Sequence, residues 1–340
     1  MRSRASGHLE DLGDTVLLAR DGREALAVIE ADPSVELLLT GPCAGARGGR
    51  EGRGTPLAEA AMTDPISQTE YWNGEAGERW ARLQDALDAA FAPLTEALIA
   101  AAALRPGERV LDIGCGCGET TLLAARAVGP RGSVTGLDVS RPMLARARQR
   151  ALAADPENAP VAWVEADAQT QPLEPVHDAA LSRFGVMFFD ESRAALANLR
   201  RGLRPGGRIA LLCWQGLPAN DWIRVPREAA LRVVPPPEPP VPGAPGPFRF
   251  AEPGLLAGLL RQAGFAAVAE AAVLRDLVLG RDAEEATRFA LTLGPTSVLV
   301  RDLGEAERAA AFAAVAAALP RTEPVVLGAA CWLVTAVNPG

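Results

Sequence analysis

An apolar run and a glycine-rich turn stand side by side in the first half of the chain. Residues 109–113 are mostly apolar, and Gly114, Gly116 and Gly118 follow at alternate positions. Because glycine has no Cβ, the backbone of such a turn can approach a ligand closely. A helix predicted to begin at Glu119 adds free N–H groups and a partial positive charge. The segment therefore predicts a pocket for an anionic group, such as the carboxylate of an amino-acid-bearing nucleoside.

The spacing of the glycines indicates which of two classes of cofactor the turn would bind. A pyrophosphate-binding turn has glycine at its first, third and sixth positions, which here are Gly114, Gly116 and Glu119. A carboxylate at the sixth position would crowd and repel pyrophosphate. The pattern thus disfavours a dinucleotide, and a Rossmann-fold NAD(P)-dependent oxidoreductase stays open as an alternative reading.

Two further acidic positions follow the next predicted strands. Asp138 ends the second strand, where a carboxylate can accept hydrogen bonds from both ribose hydroxyls. Asp167, after the third strand, can read the amine of an adenine together with the backbone N–H of Ala168. Met143 stands in the helix after Asp138, where touching the adenine and ordinary core packing are both open. These positions predict an adenosine site beside the glycine turn.

The glycine spacing, with Asp112 two residues before the first glycine, resembles motif I of class I S-adenosylmethionine-dependent methyltransferases. The turn at 203–208, Leu-Arg-Pro-Gly-Gly-Arg, also resembles this family, and the segment 182–189 is most similar to its quinone- and small-molecule-methylating group. The likeness covers about residues 71–338. It implies S-adenosyl-L-methionine as the cofactor, and it places Arg183 beside the methionine part. The expected cofactor-binding residues are Asp112, Gly114, Cys115, Gly116, Cys117, Gly118, Asp138, Val139, Met143, Asp167, Ala168, Arg183 and Trp80.

The resemblance implies transfer of a methyl group that is already activated. The protein's task is then to align the acceptor and exclude water. No general base is assigned. His8 lies in the N-terminal segment, and His177 precedes the fourth strand, where a surface loop position and a role as base are both open. Cys115 and Cys117 have no second Cys or His cluster beside them, so no metal site is expected.

Aromatic residues suggest the character of the methyl acceptor. Phe184, Phe188, Phe189 and Trp214 stand where the fourth and fifth strands end, which is the side on which ligands bind. They favour a small apolar or aromatic acceptor, although core packing explains Phe188 and Phe189 equally well. The acceptor atom and the oligomeric state stay open.

Alternating apolar strands and helices predict the framework that positions these residues. The pattern favours an α/β fold, with a Rossmann-like, doubly wound, seven-stranded sheet. The sheet is expected to be mostly parallel with an antiparallel last strand, and helical cap insertions are expected after the fifth strand. Strands are predicted at 109–113, 133–137, 161–165, 178–182, 208–214, 265–273 and 328–337, and helices at 83–104, 119–128, 141–154, 192–203, 255–263, 283–293 and 305–319.

The first sixty residues differ in kind from the rest. Residues 19–26 and 35–40 resemble the middle of a response-regulator receiver domain, but Gly41 stands where the phosphate-accepting aspartate belongs. Residues 1–40 are therefore interpreted as a receiver-like fragment without function, and the glycine-rich residues 41–61 as a flexible linker. Residues 62–340 are predicted to form the methyltransferase domain.

Composition limits the classes of molecule on which the protein is expected to act. The 340 residues carry a net charge of −8, which disfavours nucleic acid as a substrate. No uninterrupted apolar stretch predicts a membrane span or signal peptide, and the odd number of five cysteines does not suggest a disulfide framework. A cytoplasmic enzyme acting on a small molecule is the first hypothesis. A non-catalytic regulator that binds S-adenosylmethionine is another.

Overall fold

The structure, a computed structural model, describes residues 67–237, 241 and 243–340. The receiver-like segment at 1–40 and the linker at 41–61 lie outside the described residues. The helices are α1 Gln68–Asn73, α2 Glu75–Arg82, α3 Gln84–Ala102, α4 Glu119–Val128, α5 Arg141–Ala151, α6 Ser192–Gly202, α7 Asp221–Ala230, α8 Leu255–Gln262, α9 Ala283–Thr292, α10 Gly294–Ser297 and α11 Glu305–Ala318. The strands are β1 Arg109–Ile113, β2 Ser133–Asp138, β3 Val161–Glu165, β4 His177–Arg183, β5 Leu203–Trp214, β6 Ala266–Gly280 and β7 Val325–Val337.

Within the described residues, seven strands form one sheet in the order β3-β2-β1-β4-β5-β7-β6. The first five are parallel, and β7 runs antiparallel to both β5 and β6. This is the predicted doubly wound sheet with an antiparallel last strand, and the prediction is confirmed. The strand order reverses between β1 and β4, so a crevice opens beyond the carboxyl ends of these two strands.

The central strands are apolar because helices cover both faces of the sheet. Val110, Leu111 and Ile113 of β1 are buried, and so are the first six residues of β4. Such near-continuous apolar runs are typical of parallel strands. Helix α3 packs along β4, β5 and β6, with Leu94 and Leu98 fully buried. The core therefore fixes the strand ends that carry the polar residues.

Several elements depart from the sequence prediction. Residues 68–82 form α1 and α2, and α7 was not predicted because Pro226 lies inside it. The buried residues of α7, Trp222, Ile223, Pro226, Ala229 and Ala230, nevertheless follow a helical spacing. Strand β5 begins at Leu203 and so takes in the predicted turn, while β6 continues to Gly280 by pairing with the lengthened β7.

None of the helices between residues 67 and 340 that the structure describes has both the length and the apolar character needed to cross a bilayer.

Candidate cofactor site

The glycine turn after β1 is held by hydrogen bonds within the protein. The N–H groups of Gly114 and Cys115 both donate to the carbonyl of Leu137, at 2.8 and 3.1 Å, which ties the turn to the end of β2. Gly114, Gly116 and Gly118 have φ values of 63°, 54° and 84°. These left-handed conformations favour glycine, so the alternate spacing is required by the path of the backbone itself.

Close contacts add a second reason for glycine at these positions. A Cβ at Gly114 would lie 2.8 Å from the Cα of Gly185, and one at Gly116 would lie 2.8 Å from the Cε of Met143. At Gly118 the Cβ would collide with the ring of Trp163. Gly118 therefore packs against Trp163 and does not line the cavity described below. Its expected contact with the cofactor stays a prediction.

Asp112 supports the turn from behind. Its Oδ2 accepts hydrogen bonds of 2.6 Å from the hydroxyls of Thr120 and Thr121, at the start of α4. The carboxyl group is fully buried, and burial raises its pKa to about 6. Asp112 is not among the residues that line the cavity described below, and its role as a cofactor ligand stays a prediction. It anchors the first turn of α4 to the end of β1.

Asp138 lies at the end of β2 with its carboxylate facing the turn. Its two oxygens accept hydrogen bonds of 2.8 Å from the N–H groups of Gly116 and Ser140. Burial raises the pKa of Asp138, and these backbone donors oppose that rise. An ionised carboxylate has about four acceptor sites. Both oxygens therefore keep acceptor capacity for hydroxyl groups in the cavity.

A solvent-open cavity with an empty volume of about 1110 Å³ lies beyond the carboxyl ends of β1, β2 and β4. It is called the cofactor cavity below. Except for Asp112 and Gly118, all the predicted cofactor residues line it: Gly114, Cys115, Gly116, Cys117, Asp138, Val139, Met143, Asp167, Ala168, Arg183 and Trp80. The structure thus brings residues from five separate segments around one space.

Helices α1 and α2 form a lid over this cavity. The lid contributes Trp72, which belongs to a segment that the family resemblance places over the cofactor, and three residues that sequence reasoning missed, Ser67, Gln68 and Thr69. Asn73 donates to the carbonyl of Val139 and accepts from the N–H of Arg141, at 2.8 and 2.9 Å. The hydroxyl of Ser140 donates to the carbonyl of Trp72 at 2.6 Å. These bonds fasten the lid to the loop after β2, and Ser67, Gln68, Thr69 and Trp72 thereby join the cavity wall.

The start of the lid has a sequence pattern that is typical of a helix start. The hydroxyl of Ser67 accepts from the N–H of Glu70, and the Glu70 carboxylate accepts from the N–H of Ser67. This reciprocal pair is a capping box, whose Ser-x-x-Glu spacing marks a helix start. Hydrogen bonds from Ser67 lower the pKa of Glu70. The Ser-x-x-Glu pattern was present in the sequence, but the first helix was predicted only at 83–104.

A polar cluster borders the glycine turn. Arg150 pairs with Asp88 at 2.8 Å and with Glu119 at 2.5 Å, and it donates to the carbonyl of Cys117. Arg183 donates to the hydroxyl of Thr95 at 2.6 Å and lies 3.4 Å from Asp88. Two guanidinium groups thus face two carboxylates.

This cluster alters the expected effect of Glu119. Burial, followed by the charge of Asp88, raises the pKa of Glu119, while Arg150 opposes the rise. The carboxylate expected to repel pyrophosphate is therefore paired with Arg150. Its position beside the turn is as predicted.

The positions predicted to read an adenine are held in place by neighbouring side chains. Asp167 accepts a 2.8 Å hydrogen bond from the N–H of Gln169, whose side-chain amide also donates to it. Asn198 donates to the carbonyl of Ala168 at 2.9 Å. This loop is thus fixed by polar contacts, with Asp167 and Ala168 at the cavity wall.

The two cysteines of the turn are small buried side chains. Burial raises the pKa of the Cys115 thiol well above its ordinary value and that of Cys117 to about 12. Both thiols therefore stay protonated at neutral pH. In the part of the chain that the structure describes, no group of three or more His, Cys, Asp or Glu residues is placed to hold a metal ion.

His177 lies away from the cofactor cavity. It begins β4 and so stands at the opposite edge of the sheet, where its Nδ1 lies 3.0 Å from the carbonyl oxygen of Gly202. Burial lowers the pKa of His177. These contacts give it a structural role at the start of β4, and the described residues place no histidine at the cavity wall.

An aromatic cluster closes one side of the cavity. Phe184 has a φ of 65° and stacks on Trp214, with ring centroids 4.2 Å apart and planes 10° apart. Phe91 packs edge-on against Phe184, and Trp222 packs against both Phe91 and Trp214. Phe91, Phe184, Phe188 and Phe189 line the cavity, whereas Trp214 and Trp222 are not part of its wall. Phe91 was not predicted, because its distance in sequence hides the contact.

Comparisons with known proteins agree with this geometry. Residues 110–207 match the model of a family described as a methyltransferase domain. A 2-phytyl-1,4-naphtoquinone methyltransferase of Trichormus variabilis is 38% identical over 109 residues, which are 32% of this chain and 47% of that protein. An uncharacterized 37.1 kDa protein from transposon TN4556 of Streptomyces fradiae is 42% identical over 109 residues, which are 32% of this chain and 30% of that protein. The chain thus spans less than half the length of these relatives.

A solved structure extends the likeness over more of the chain. Phosphoethanolamine N-methyltransferase 2 of Haemonchus contortus, in complex with S-adenosyl-L-methionine, covers 81% of this chain and 61% of its own. Its TM-score is 0.51 and its sequence identity is 16%, which shows the fold. Residues 110–207 are thus similar to a methyltransferase domain, and the described fold is shared with a protein solved in complex with S-adenosyl-L-methionine. Both findings agree with the predicted class and cofactor.

Proposed function

We propose that this chain transfers a methyl group from S-adenosylmethionine to a small apolar or aromatic acceptor. The observation that carries the proposal is the cofactor cavity, in which the glycine turn, Asp138 and an aromatic wall surround one space. Residues 110–207, which include the turn and Asp138, also match the methyltransferase domain family. The likeness to a quinone methyltransferase supports a small acceptor.

The residues present fit an adenosyl amino acid. Asp138 keeps acceptor sites for two ribose hydroxyls, in addition to the bonds from Gly116 and Ser140. Met143 and Val139 offer apolar contacts for the adenine, and Asp167 offers an acceptor for its amine. All four residues line the cofactor cavity.

The amino-acid end has its own set of donors. The N–H groups of Gly114, Cys115, Gly116 and Gly118 already donate within the protein. The first N–H groups of α4 have no intrahelical partners, and they and the guanidinium of Arg183 remain to bind a carboxylate. The recognition of the anionic group therefore falls on α4 and Arg183.

The chemistry needs alignment more than proton transfer. S-adenosylmethionine supplies a sulfonium methyl group that is already electrophilic. Phe91, Phe184, Phe188 and the lid residue Trp72 offer apolar surface on which an acceptor can be oriented and from which water is excluded. Aromatic faces near Trp80 also favour a sulfonium charge.

A titration with S-adenosylhomocysteine tests the proposal. The parent is expected to bind it, and Asp138→Ala is expected to bind at least roughly tenfold more weakly, because hydrogen bonds to a charged group are lost. The matched control is Glu165→Ala. Glu165 lies opposite Asp138 in the register of β2 and β3, and its carboxylate forms an ion pair with Arg141 at the surface. The control is expected to bind within about twofold of the parent.

Two results would contradict the proposal. One is equal binding by the parent and Asp138→Ala, and the other is tight binding of NAD without binding of S-adenosylhomocysteine, which would select the oxidoreductase. Transfer of labelled methyl from S-adenosylmethionine to a panel of quinols and phenols then tests the acceptor class. Tight cofactor binding without transfer to any acceptor would favour the non-catalytic regulator.

The proposal also covers the class of substrate and the cellular location. A small-molecule acceptor is proposed instead of nucleic acid, because the net charge of −8 repels phosphate backbones. A cytoplasmic location is proposed on the basis of the buried free thiols of Cys115, Cys117, Cys213 and Cys331. Fractionation of cells that express the chain tests the location.

A further inference from the structure

A second pocket lies between the lid and the helices near the C-terminus. It is formed by α2, α9, the segment from α10 to residue 301, and α11, and it has an empty volume of about 830 Å³, open to solvent. Its wall consists of Arg79, Arg288, Leu291, Thr292, Ser297, Val300, Arg301, Arg308 and Phe312. We call it the arginine pocket. It shares none of its residues with the cofactor cavity.

The charge of the arginine pocket contrasts with that of the chain. Four of the nine residues that line the pocket are arginines, in a protein whose net charge is −8. Arg288 pairs with Glu284 one turn earlier on α9, and Arg301 lies 4.0 Å from the exposed Asp302. Among the described residues, the ion pairs include none for Arg79 or Arg308. The wall residues thus include four arginines and no acidic residue.

The remaining wall is apolar or hydroxylic. Leu291, Val300 and Phe312 supply hydrocarbon surface, and Val300 is 7% exposed. The hydroxyls of Thr292 and Ser297 donate to backbone carbonyls of Arg288 and Gly294 at 2.6 and 2.8 Å, which fixes their direction. A ligand for this pocket therefore needs both a strong negative charge and an apolar part.

We propose that the arginine pocket binds an alkyl or aryl phosphate. A guanidinium fork matches the oxygens of a phosphate in a bidentate manner, and a dianion with three acceptor oxygens can engage several guanidinium groups at once. A single carboxylate has too few oxygens for four arginines. The hydrocarbon of the ligand lies against Leu291, Val300 and Phe312. This site is separate from the cofactor cavity and does not depend on methyl transfer.

Calorimetric titration of the full chain with octyl phosphate tests the proposal. Saturable binding is expected, and the double variant Arg79→Gln/Arg308→Gln is expected to bind at least roughly tenfold more weakly, because two charged donors are lost. The control Arg126→Gln/Arg148→Gln removes two exposed arginines on α4 and α5 and is expected to bind as the parent does. If the first double variant fails to fold, the exposed Arg301→Glu supplies the same loss by charge reversal.

Inorganic phosphate and vesicles complete the experiment. Inorganic phosphate is expected to bind more weakly than octyl phosphate, since it leaves the apolar wall uncovered. Vesicles of phosphatidylcholine that contain phosphatidic acid test the source of the phosphate. Binding to them that depends on the arginines would indicate a lipid headgroup, and a lack of such binding would indicate a free ligand. The proposal is overturned by a lack of saturable binding, by equal losses in both double variants, or by equal affinities for octyl phosphate and inorganic phosphate. S-adenosylhomocysteine affinity is measured alongside, so that a failure here is distinguishable from a failure of the proposed methyl transfer.

Discussion

The turn after β1 meets the segment after β4 at Gly185, and the contact is close enough to predict the effect of one methyl group. A Cβ at Gly185 would lie 2.7 Å from the carbonyl oxygen of Ile113 and 2.9 Å from the Cα of Gly114. Since carbon–oxygen contacts normally lie at about 3.3–3.6 Å, Gly185→Ala must move these segments apart by about 0.6 Å. The backbone of Gly185 is right-handed, with φ −79° and ψ −43°, so alanine adds no backbone strain.

The expected cost of Gly185→Ala is that of overpacking, about 1–3 kcal/mol in the free energy of unfolding. Urea denaturation measures it. Because Gly185 also lines the cofactor cavity, S-adenosylhomocysteine is expected to bind roughly tenfold more weakly, since a small displacement spoils the alignment of its partners.

The matched control for this prediction is Gly216→Ala. A Cβ there would meet only Pro218 at 3.5 Å and Ala251 at 3.9 Å, which are ordinary contacts. Its stability is expected to stay within about 0.5 kcal/mol of the parent. Equal stabilities of the two variants, or an unchanged affinity in Gly185→Ala, would refute the steric reasoning.

Two further predictions concern the groups around the turn. Because burial raises the pKa of Asp112 from 3.8 to about 6, the folded state binds its proton more tightly than the unfolded chain does. The parent should therefore lose on the order of 2–3 kcal/mol of stability relative to Asp112→Asn as the pH rises from about 4 to about 7, and urea denaturation at several pH values checks the difference. Thr95→Val removes the hydroxyl that accepts from Arg183, and it should weaken S-adenosylhomocysteine binding roughly tenfold in calorimetry, with recovery in Thr95→Ser. A constant stability difference across that pH range, or full affinity in Thr95→Val, would contradict these expectations.

The sheet could be predicted because its strands are short apolar runs between clear turns. Strand β3 has the predicted bounds, and α4 begins and ends at Glu119 and Val128 as expected. Helix α7 could not be predicted in the same way, because Pro226 is locally typical of a helix end. Its burial against α10, α11 and β7 outweighs that tendency. The extension of β6 to Gly280 depends on pairing with β7, a contact that no local pattern reveals.

The candidate site also has one part that could be predicted from the sequence and one part that could not. Its cofactor side comes from segments that follow successive strands, so topology alone brings Asp138 and Asp167 towards the glycine turn. The aromatic side joins Phe91 of α3 to Phe184 after β4, which requires knowledge of how α3 packs on the sheet. For this reason the sequence indicates a cofactor more sharply than it indicates an acceptor.

The glycine turn shows what such a motif encodes. Of its N–H groups, those of Gly114 and Cys115 bind Leu137, that of Gly116 binds Asp138, and that of Gly118 binds Cys115. The glycines are thus required by the backbone path and by contacts within the chain, before any ligand is considered. Asp138 belongs to this structure as well as to the proposed ribose site, since the same carboxylate holds the turn and keeps acceptor sites free. A loss of affinity in Asp138→Ala therefore includes a structural part. Thr95→Val leaves the turn untouched and removes the hydroxyl that accepts from Arg183 and donates to the carbonyl of Phe91 within α3.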